Sequence, residues 1–241
     1  MTAPLVVVTG TGTGIGKTHV SGALVLAWSH QLVAAGFTDA KVAGLKPVES
    51  GVSAGQGGAD GSTLERLSTF HVKQFPPPYL LARPVSPHLA ARDEGTTVEL
   101  SVLRRYVAEI RDGADAVVVE LPGGLFSPLA GGLSNADVVR DLAADVVLLV
   151  APDRLGVLHD VAAATRAAAA SGVVLTGIVL VAPESADAST GTNAAELALV
   201  TELPVLAVVP RAEMAVLATR PDLSGLVGAL VRAPEPAPPL L

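Results

Sequence analysis

The chain has 241 residues and no cysteine. That excludes disulfides, thiolate metal sites, iron–sulfur clusters and a cysteine nucleophile, and it is compatible with a reducing cytoplasm, the expected location. Positive charge is also short: 16 Lys+Arg stand against 23 Asp+Glu, a formal net charge of −7. An acidic balance of this size argues against nucleic acid or an anionic membrane as the main partner. The strongest apolar stretches, Val146–Ala151 and Val173–Ala182, fall far short of the ~18 residues that a membrane span needs. The start, Met1-Thr2-Ala3-Pro4 before Leu5–Val8, has no basic segment and does not read as a signal peptide. No HExxH pair and no G-x-S-x-G setting for Ser86 occurs, so the sequence offers no zinc site and no serine hydrolase site.

What is present is a large apolar content, 50% of residues, enough for a sizeable core in one domain. β-Branched runs alternate with alanine-rich helical stretches. Strands are predicted at Leu5–Thr9, Val42–Pro47, Ala116–Leu121, Val146–Ala151, Thr176–Val181 and Val205–Val208. Helices are predicted at Lys17–Ala35, Val98–Arg111, Ala136–Ala143, Leu158–Ser171, Ala194–Thr201 and Leu223–Val231. This alternation predicts a single-domain, three-layer α/β/α fold around a mainly parallel sheet, the P-loop NTPase type. The domain is expected to run over 1–232, followed by a Pro-rich tail over 233–241. Two segments break the pattern: Glu49–Ser62, rich in Gly and Ser, and the Pro-rich Phe75–His88. The first follows a strand, where an open α/β sheet carries its chemistry, so it reads either as a site loop or as a flexible surface loop.

The strongest signal is Gly10-Thr11-Gly12-Thr13-Gly14-Ile15-Gly16-Lys17-Thr18, between a predicted strand and a predicted helix. Glycines let successive N–H groups turn toward one anion, and the helix N-terminus adds its dipole. Lys17 supplies charge for the outer phosphates, and Thr18 a hydroxyl for Mg²⁺. The first glycine lies one residue earlier than GxxxxGK[ST] requires, so the loop is a long variant, GxxxxxGKT. A dinucleotide-binding reading of the glycines is weaker: it gives Lys17-Thr18 no role.

Lysine is scarce: Lys17, Lys41, Lys46 and Lys73 against twelve arginines. Lys46 closes a strand that Pro47 ends, which aims it at the carboxyl edge beside the phosphate loop; the alternative is an ordinary strand-end lysine. Glu120 closes another apolar strand, where P-loop proteins hold Mg²⁺ directly or through water. Thr18, Asp60 and Glu120 together offer hard oxygen ligands for one Mg²⁺. His88 and His159 have no partner at ligand spacing.

Together these residues resemble the dethiobiotin synthetase family. The matching pieces run in order through most of the chain: Val8 to Thr18, Gly44 to Gly51, Asp60, Arg83 to His88, Val119 to Gly124, Asn135 to Asp137, and Asp153 to Gly156. The long phosphate loop, Lys-Pro-Val-x-Ser-Gly and Ser-Pro-His are specific only in combination. The resemblance implies a ligase that captures CO₂ on 7,8-diaminopelargonic acid as a carbamate, phosphorylates it with ATP, and closes a cyclic urea. It implies Mg²⁺, with ATP or another nucleoside triphosphate as co-substrate. Lys17, Lys46 and Thr13 would serve the carbamate and the transferred phosphoryl, and Gly12, Thr13, Gly14, Ile15, Gly16, Lys17 and Thr18 the phosphates. Val181, Pro210 and Arg211 would meet the base. Ser50, Lys46 and Gly123 would contact the diamine, and Val157, Leu158 and His159 of a partner subunit its carboxylate, in a homodimer with shared sites.

The sequence departs from the family pattern in four places. Gly12 and Gly14 replace acidic residues of many relatives. Leu121-Pro122 replaces Gly-Ala after the metal glutamate and is expected to add bulk near the substrate. His159-Asp160 replaces Asn-His, placing an extra carboxylate near a bound one. No Asn ends the strand at Val181, so either base selectivity is relaxed or the base is read through backbone around Val181, Pro210 and Arg211. Alternatives remain: a diverged P-loop ligase, a cobyrinate-type amidating synthetase, which would need a further domain and a cysteine, and a partition-type ATPase switch, whose signature lysine would fall at Gly12.

Overall fold

The computed structural model describes residues 2–53, 55–72 and 74–231; the Pro-rich tail over 233–241 lies outside them. The chain opens with β1 (Leu5–Gly10), all of it buried, and turns through the glycine-rich loop into α1 (Lys17–Ala34). β2 (Val42–Leu45) and the short β3 (Val48–Ser50) lead to α2 (Ala59–Leu67). Then come β4 (Tyr79–Leu81), α3 (Pro87–Asp93) and α4 (Leu100–Gly113). β5 (Ala116–Glu120) is followed by the ribbon β6 (Pro128–Ala130) and β7 (Leu133–Ser134), and by α5 (Asn135–Leu142). The last part holds β8 (Val146–Pro152), α6 (Val157–Ala170), β9 (Gly177–Val181), α7 (Asn193–Glu196), β10 (Val205–Val209), α8 (Met214–Ala218) and α9 (Pro221–Gly228).

Six strands form one parallel sheet in the order β10-β9-β8-β1-β5-β2. They are the six strands predicted from the β-branched runs, and their near-continuous burial is what a sheet covered on both faces requires. β1 lies between β5 and β8, with Val6 opposite both Val118 and Val146. Its side chains alternate faces. Leu5 and Val7 pack with α4 and α5 residues such as Leu103, Ile110 and Val138. Val6 and Val8 pack with Val20, Leu24 and Trp28 of α1 and with Leu217 and Leu223 of α8 and α9. A third cluster joins Leu149 and Ile178 to Val157 and Val161 of α6. The result is the expected three-layer α/β/α domain. Among the described residues no helix is long and apolar enough to cross a membrane.

Several boundaries differ from expectation. Val42–Pro47 stops as a sheet strand at Leu45; the chain resumes as β3, which pairs in parallel with β4 through Val48–Tyr79 and Ser50–Leu81. The last four residues of the Gly- and Ser-rich segment open a helix, α2. The helix expected over Ala194–Thr201 shrinks to the four residues of α7 and a 3₁₀ turn at Leu197–Leu199. Only Asn193 and Leu197 of that stretch are buried, so it has no continuous apolar stripe to hold a longer helix. α3 and α9 both begin at a proline in the first helical turn, where the missing N–H costs nothing.

Trp28 is fully buried between the sheet and α1's neighbours. Trp28→Ala is expected to lower stability by ~3–5 kcal/mol; urea denaturation measures it, and a loss below ~1 kcal/mol would contradict this packing.

Candidate active site

β1 sits where the strand order reverses direction along the chain, and the carboxyl ends of its neighbours open into a crevice, the usual ligand position in such sheets. The glycine-rich loop begins there. Gly16 has φ +92°, and a Cβ on it would fall 2.7 Å from Val181 Cγ1, so this position requires glycine. No side chain caps the first turn of α1, which leaves its N–H groups for an anion. Lys17 is buried and folds back, its Nζ donating to the Gly12 carbonyl at 2.7 Å. Burial, and then the charge of Lys46, push Lys17 from 10.5 down to about 8, against the opposing pull of Glu120 and Asp60.

Beside the loop, three elements bring their ends together. Glu120, 1% exposed, closes β5; Lys46, 5% exposed, follows β2; Asp60 lies in the first turn of α2. Lys46 Nζ donates to Glu120 Oε1 and, at 3.2 Å, to Asp60 Oδ2. Thr18 Oγ1 donates to the same Glu120 oxygen at 3.0 Å. Burial works against the charge on Lys46, but the two carboxylates outweigh it and hold its pKa above the ordinary lysine value. Glu120 Oε2 is buried without any hydrogen-bond partner. An orphaned carboxylate oxygen next to a hydroxyl and a second carboxylate fits a hard divalent cation such as Mg²⁺. Among the described residues no group of three His, Cys, Asp or Glu side chains is placed to hold a metal unaided, so a cation here would complete its shell with ligand and water oxygens.

A cavity of about 750 Å³ joins these groups. One end is lined by Lys46, Ser50, Asp60, Glu120, Pro122 and Gly123; the middle by Thr13, Gly14, Ile15, Gly16, Lys17 and Thr18; the other end by Val181, Glu184, Pro210 and Arg211. The Ser50 hydroxyl is buried and unpartnered. Thr13 lies across from Gly123, whose hypothetical Cβ would be 3.6 Å from Thr13 Oγ1. Four of the expected residues are elsewhere. Gly12 does not line the cavity and meets it only through its carbonyl on Lys17. Val157, Leu158 and His159 open α6 outside it, with the Val157 side chain in the core and His159 exposed. No side chain caps that helix either, and Asp160 Oδ2 lies 3.6 Å from Arg154.

One expectation is corrected. Leu121 adds no bulk near the site: it is 1% exposed and packs in the core with Val119 and Leu125. The pleat decides this, because Glu120 and Leu121 must point to opposite faces. Only Pro122 reaches the cavity. Three further residues were not singled out for this site. Glu49 and Ser86 line it, and Ser86 Oγ lies 3.0 Å from His88 Nδ1. Asn135, fully buried, donates through Nδ2 to the Pro122 and Gly124 carbonyls at 2.5 and 2.8 Å and so holds the loop after Glu120. An Asn directly before the helix predicted from Ala136 was the available signal.

Comparison with known proteins places this geometry in a family. A family model described as "AAA domain" matches residues 5–216. The chain is 38% identical over 208 residues, 85% of its length and 87% of the relative's, to "ATP-dependent dethiobiotin synthetase BioD" of Ralstonia nicotianae. It is 38% identical over 205 residues, 84% of its length and 88% of the relative's, to the protein of the same name from Anaeromyxobacter dehalogenans. Among solved structures, it matches a ParA family ATPase from Chlorobium tepidum with a TM-score of 0.56 at 13% identity, over 94% of this chain and 97% of that one. It matches the septum site-determining protein MinD of Pyrococcus horikoshii, complexed with Mg-ADP, with a TM-score of 0.54 at 17% identity, over 95% and 94%. These two likenesses concern the fold alone.

Lys17 carries a testable pH dependence. With a folded pKa of about 8 against 10.5, the native chain binds fewer protons than the unfolded one between those values. The burial penalty is thus fully present below pH 8 and disappears as pH rises toward 10.5. Lys17→Met is expected to stabilise the ligand-free protein by on the order of 2–3 kcal/mol near pH ~7 and much less near pH ~10. Denaturant titration at the two pH values measures it; equal effects at both would contradict the shift.

Proposed function

The chain belongs to the ATP-dependent dethiobiotin synthetase family, and we propose that it joins 7,8-diaminopelargonic acid and CO₂ into the cyclic urea of dethiobiotin, driven by ATP cleavage. The observation that carries this reading is the pair of buried ammonium groups, Lys17 and Lys46, on one cavity with a phosphate loop at its centre and two hydroxyls, Thr13 and Ser50, at its sides.

The chemistry has three steps. One amine of the diamine attacks CO₂ and loses a proton, giving a carbamate. A carbamate oxygen attacks the γ-phosphorus, and ADP leaves. The second amine then attacks the carbamoyl carbon and loses a proton, and phosphate leaves as the ring closes. Little of this needs covalent help from the protein; it needs positioning and charge. Lys46 stands at the cavity end where the carbamate would lie and offsets its negative charge. Lys17 swings from the Gly12 carbonyl to the outer phosphates and follows the charge onto the transferred group. The uncapped first turn of α1 binds the phosphate oxygens through its N–H groups. Thr13 and Ser50 hydrogen-bond the carbamate and the diamine, and burial leaves the Ser50 hydroxyl without a competing partner.

Thr18, Asp60 and Glu120 would hold Mg²⁺, which supplies charge neutralisation on the β- and γ-phosphate oxygens when bound. The base would lie toward Val181, Pro210 and Arg211, where no Asn side chain reads it, so nucleotides other than ATP are expected to be accepted. The diamine's carboxylate would be held by the uncapped N-terminus of α6, through Val157, Leu158 and His159 of a second copy in a homodimer. A net-acidic chain without cysteine suits a cytoplasmic setting.

Phosphate release with Mg²⁺, ATP and bicarbonate is expected to depend on diaminopelargonic acid, with dethiobiotin detected by mass spectrometry. Lys46→Ala should lower kcat by ~10²–10³-fold while nucleotide affinity stays close to that of the unaltered protein. Hydrolysis that ignores the diamine, or an unchanged rate for Lys46→Ala, would overturn the reading.

A further inference from the structure

Glu49 is a buried carboxylate that this chemistry does not use. It sits on β3, three residues after Lys46, and is 7% exposed. Its Oε1 accepts the N–H of Asp60, and its Oε2 that of Gly61, both at 2.9 Å. These N–H groups belong to the first turn of α2, whose own cap residue is Gly58, with no side chain to offer. Glu49 therefore does for α2 what a side chain at the helix boundary ordinarily does, but from a separate strand. A negative charge is also favoured by the helix dipole at that end. Gly58 makes the approach possible: a Cβ there would fall 2.0 Å from Glu49 Oε2.

A local cap and a cap from another strand differ in what they fix. A serine or aspartate at position 58 would stabilise the helix relative to itself. Glu49 ties the helix to β3, which is itself anchored to β4 through the Glu49–Leu80 register. Asp60 is thereby gripped twice from the same short stretch. Glu49 holds its backbone, and Lys46 holds its carboxylate at 3.2 Å.

We infer that Glu49 is a positioning residue that docks the first turn of α2, so that the Asp60 carboxylate stays at the Lys46–Glu120 cluster and is ready for the nucleotide's cation. The inference rests on the reading that Thr18, Asp60 and Glu120 serve that cation.

The test is calorimetric titration of ADP into the full chain across Mg²⁺ concentrations, with the melting temperature recorded in parallel. Glu49→Ala is expected to raise the Mg²⁺ needed for half-maximal enhancement by roughly tenfold or more, leaving metal-free ADP affinity unchanged. Glu49→Gln, which keeps one acceptor, should fall between. Gly58→Ser in the Glu49→Ala background should return the Tm, because the helix regains a local cap, without returning the Mg²⁺ dependence. Recovery of both would reduce Glu49 to a helix cap and overturn the inference. So would a lower Tm in Glu49→Ala with an unchanged Mg²⁺ dependence. If Glu49→Ala does not fold, Glu49→Gln and Gly58→Ala, whose Cβ displaces the carboxylate, decide by the same readout. Asp60→Ala separates the two layers. If it shifts the Mg²⁺ dependence and the Glu49 variants do not, only the positioning role falls; if it leaves the dependence unchanged, the ligand assignment falls and the inference with it.

Discussion

A carboxylate and an ammonium buried side by side constrain everything around them. Glu120 and Lys46 are each almost wholly removed from water, and the attraction between them offsets part of the cost of burying both. Their meeting requires β5 to end at Glu120 and β2 to end just before Lys46, on neighbouring strands whose register puts Leu45 opposite Val119. It also requires α1 to present Thr18 and α2 to present Asp60 at the same point. The sheet supplies these positions because adjacent parallel strands bring their carboxyl ends to one edge. A slip of one residue in β5 would send Glu120 into the apolar face and Leu121 into the cavity.

The cluster is charged but nearly balanced: one ammonium is held between two carboxylates, and a second, on Lys17, is left short of partners. That asymmetry gives the two lysines opposite tendencies, Lys46 held protonated and Lys17 pushed toward losing its proton. An incoming polyphosphate would supply the negative charge that Lys17 lacks and would meet the N–H groups of the uncapped first turn of α1. Binding and charge balance would then be the same event at this site. The fold is shared at low identity with a ParA family ATPase and a MinD protein, while the ligase assignment comes from relatives 38% identical over most of the chain rather than from the sheet.

The six central strands were legible because each is a nearly unbroken β-branched run, and the phosphate loop because its residues have few other uses. Lys46 and Glu120 were legible as polar residues closing apolar runs. α2 was not. Its lead-in is Gly-rich, and the carboxylate that caps it lies nine residues before Gly58, with a turn of chain between them. The orientation of Leu121 was in the sequence all along, since Val119, Glu120 and Leu121 alternate along one strand end. The resemblance to relatives with smaller residues there drew attention to size instead of to the pleat. β3 and β4 are three residues each, too short for any periodicity to declare them.

The central strand has a consequence for how the chain acquires its shape. β1 precedes the other five strands of its sheet in the chain, yet Val6 has its partners at Val118 and Val146, and the Leu5 N–H is satisfied by Asp145, 140 residues away. Every one of its side chains is buried in the end; α1 follows at once to cover the face of Val6 and Val8, but both edges and the face of Leu5 and Val7 stay uncovered until much of the chain has arrived. Such long-range pairing slows folding and leaves apolar strand edges open to the wrong partner. The strand that organises the finished molecule is therefore also the segment most exposed to misassembly while the molecule is being made.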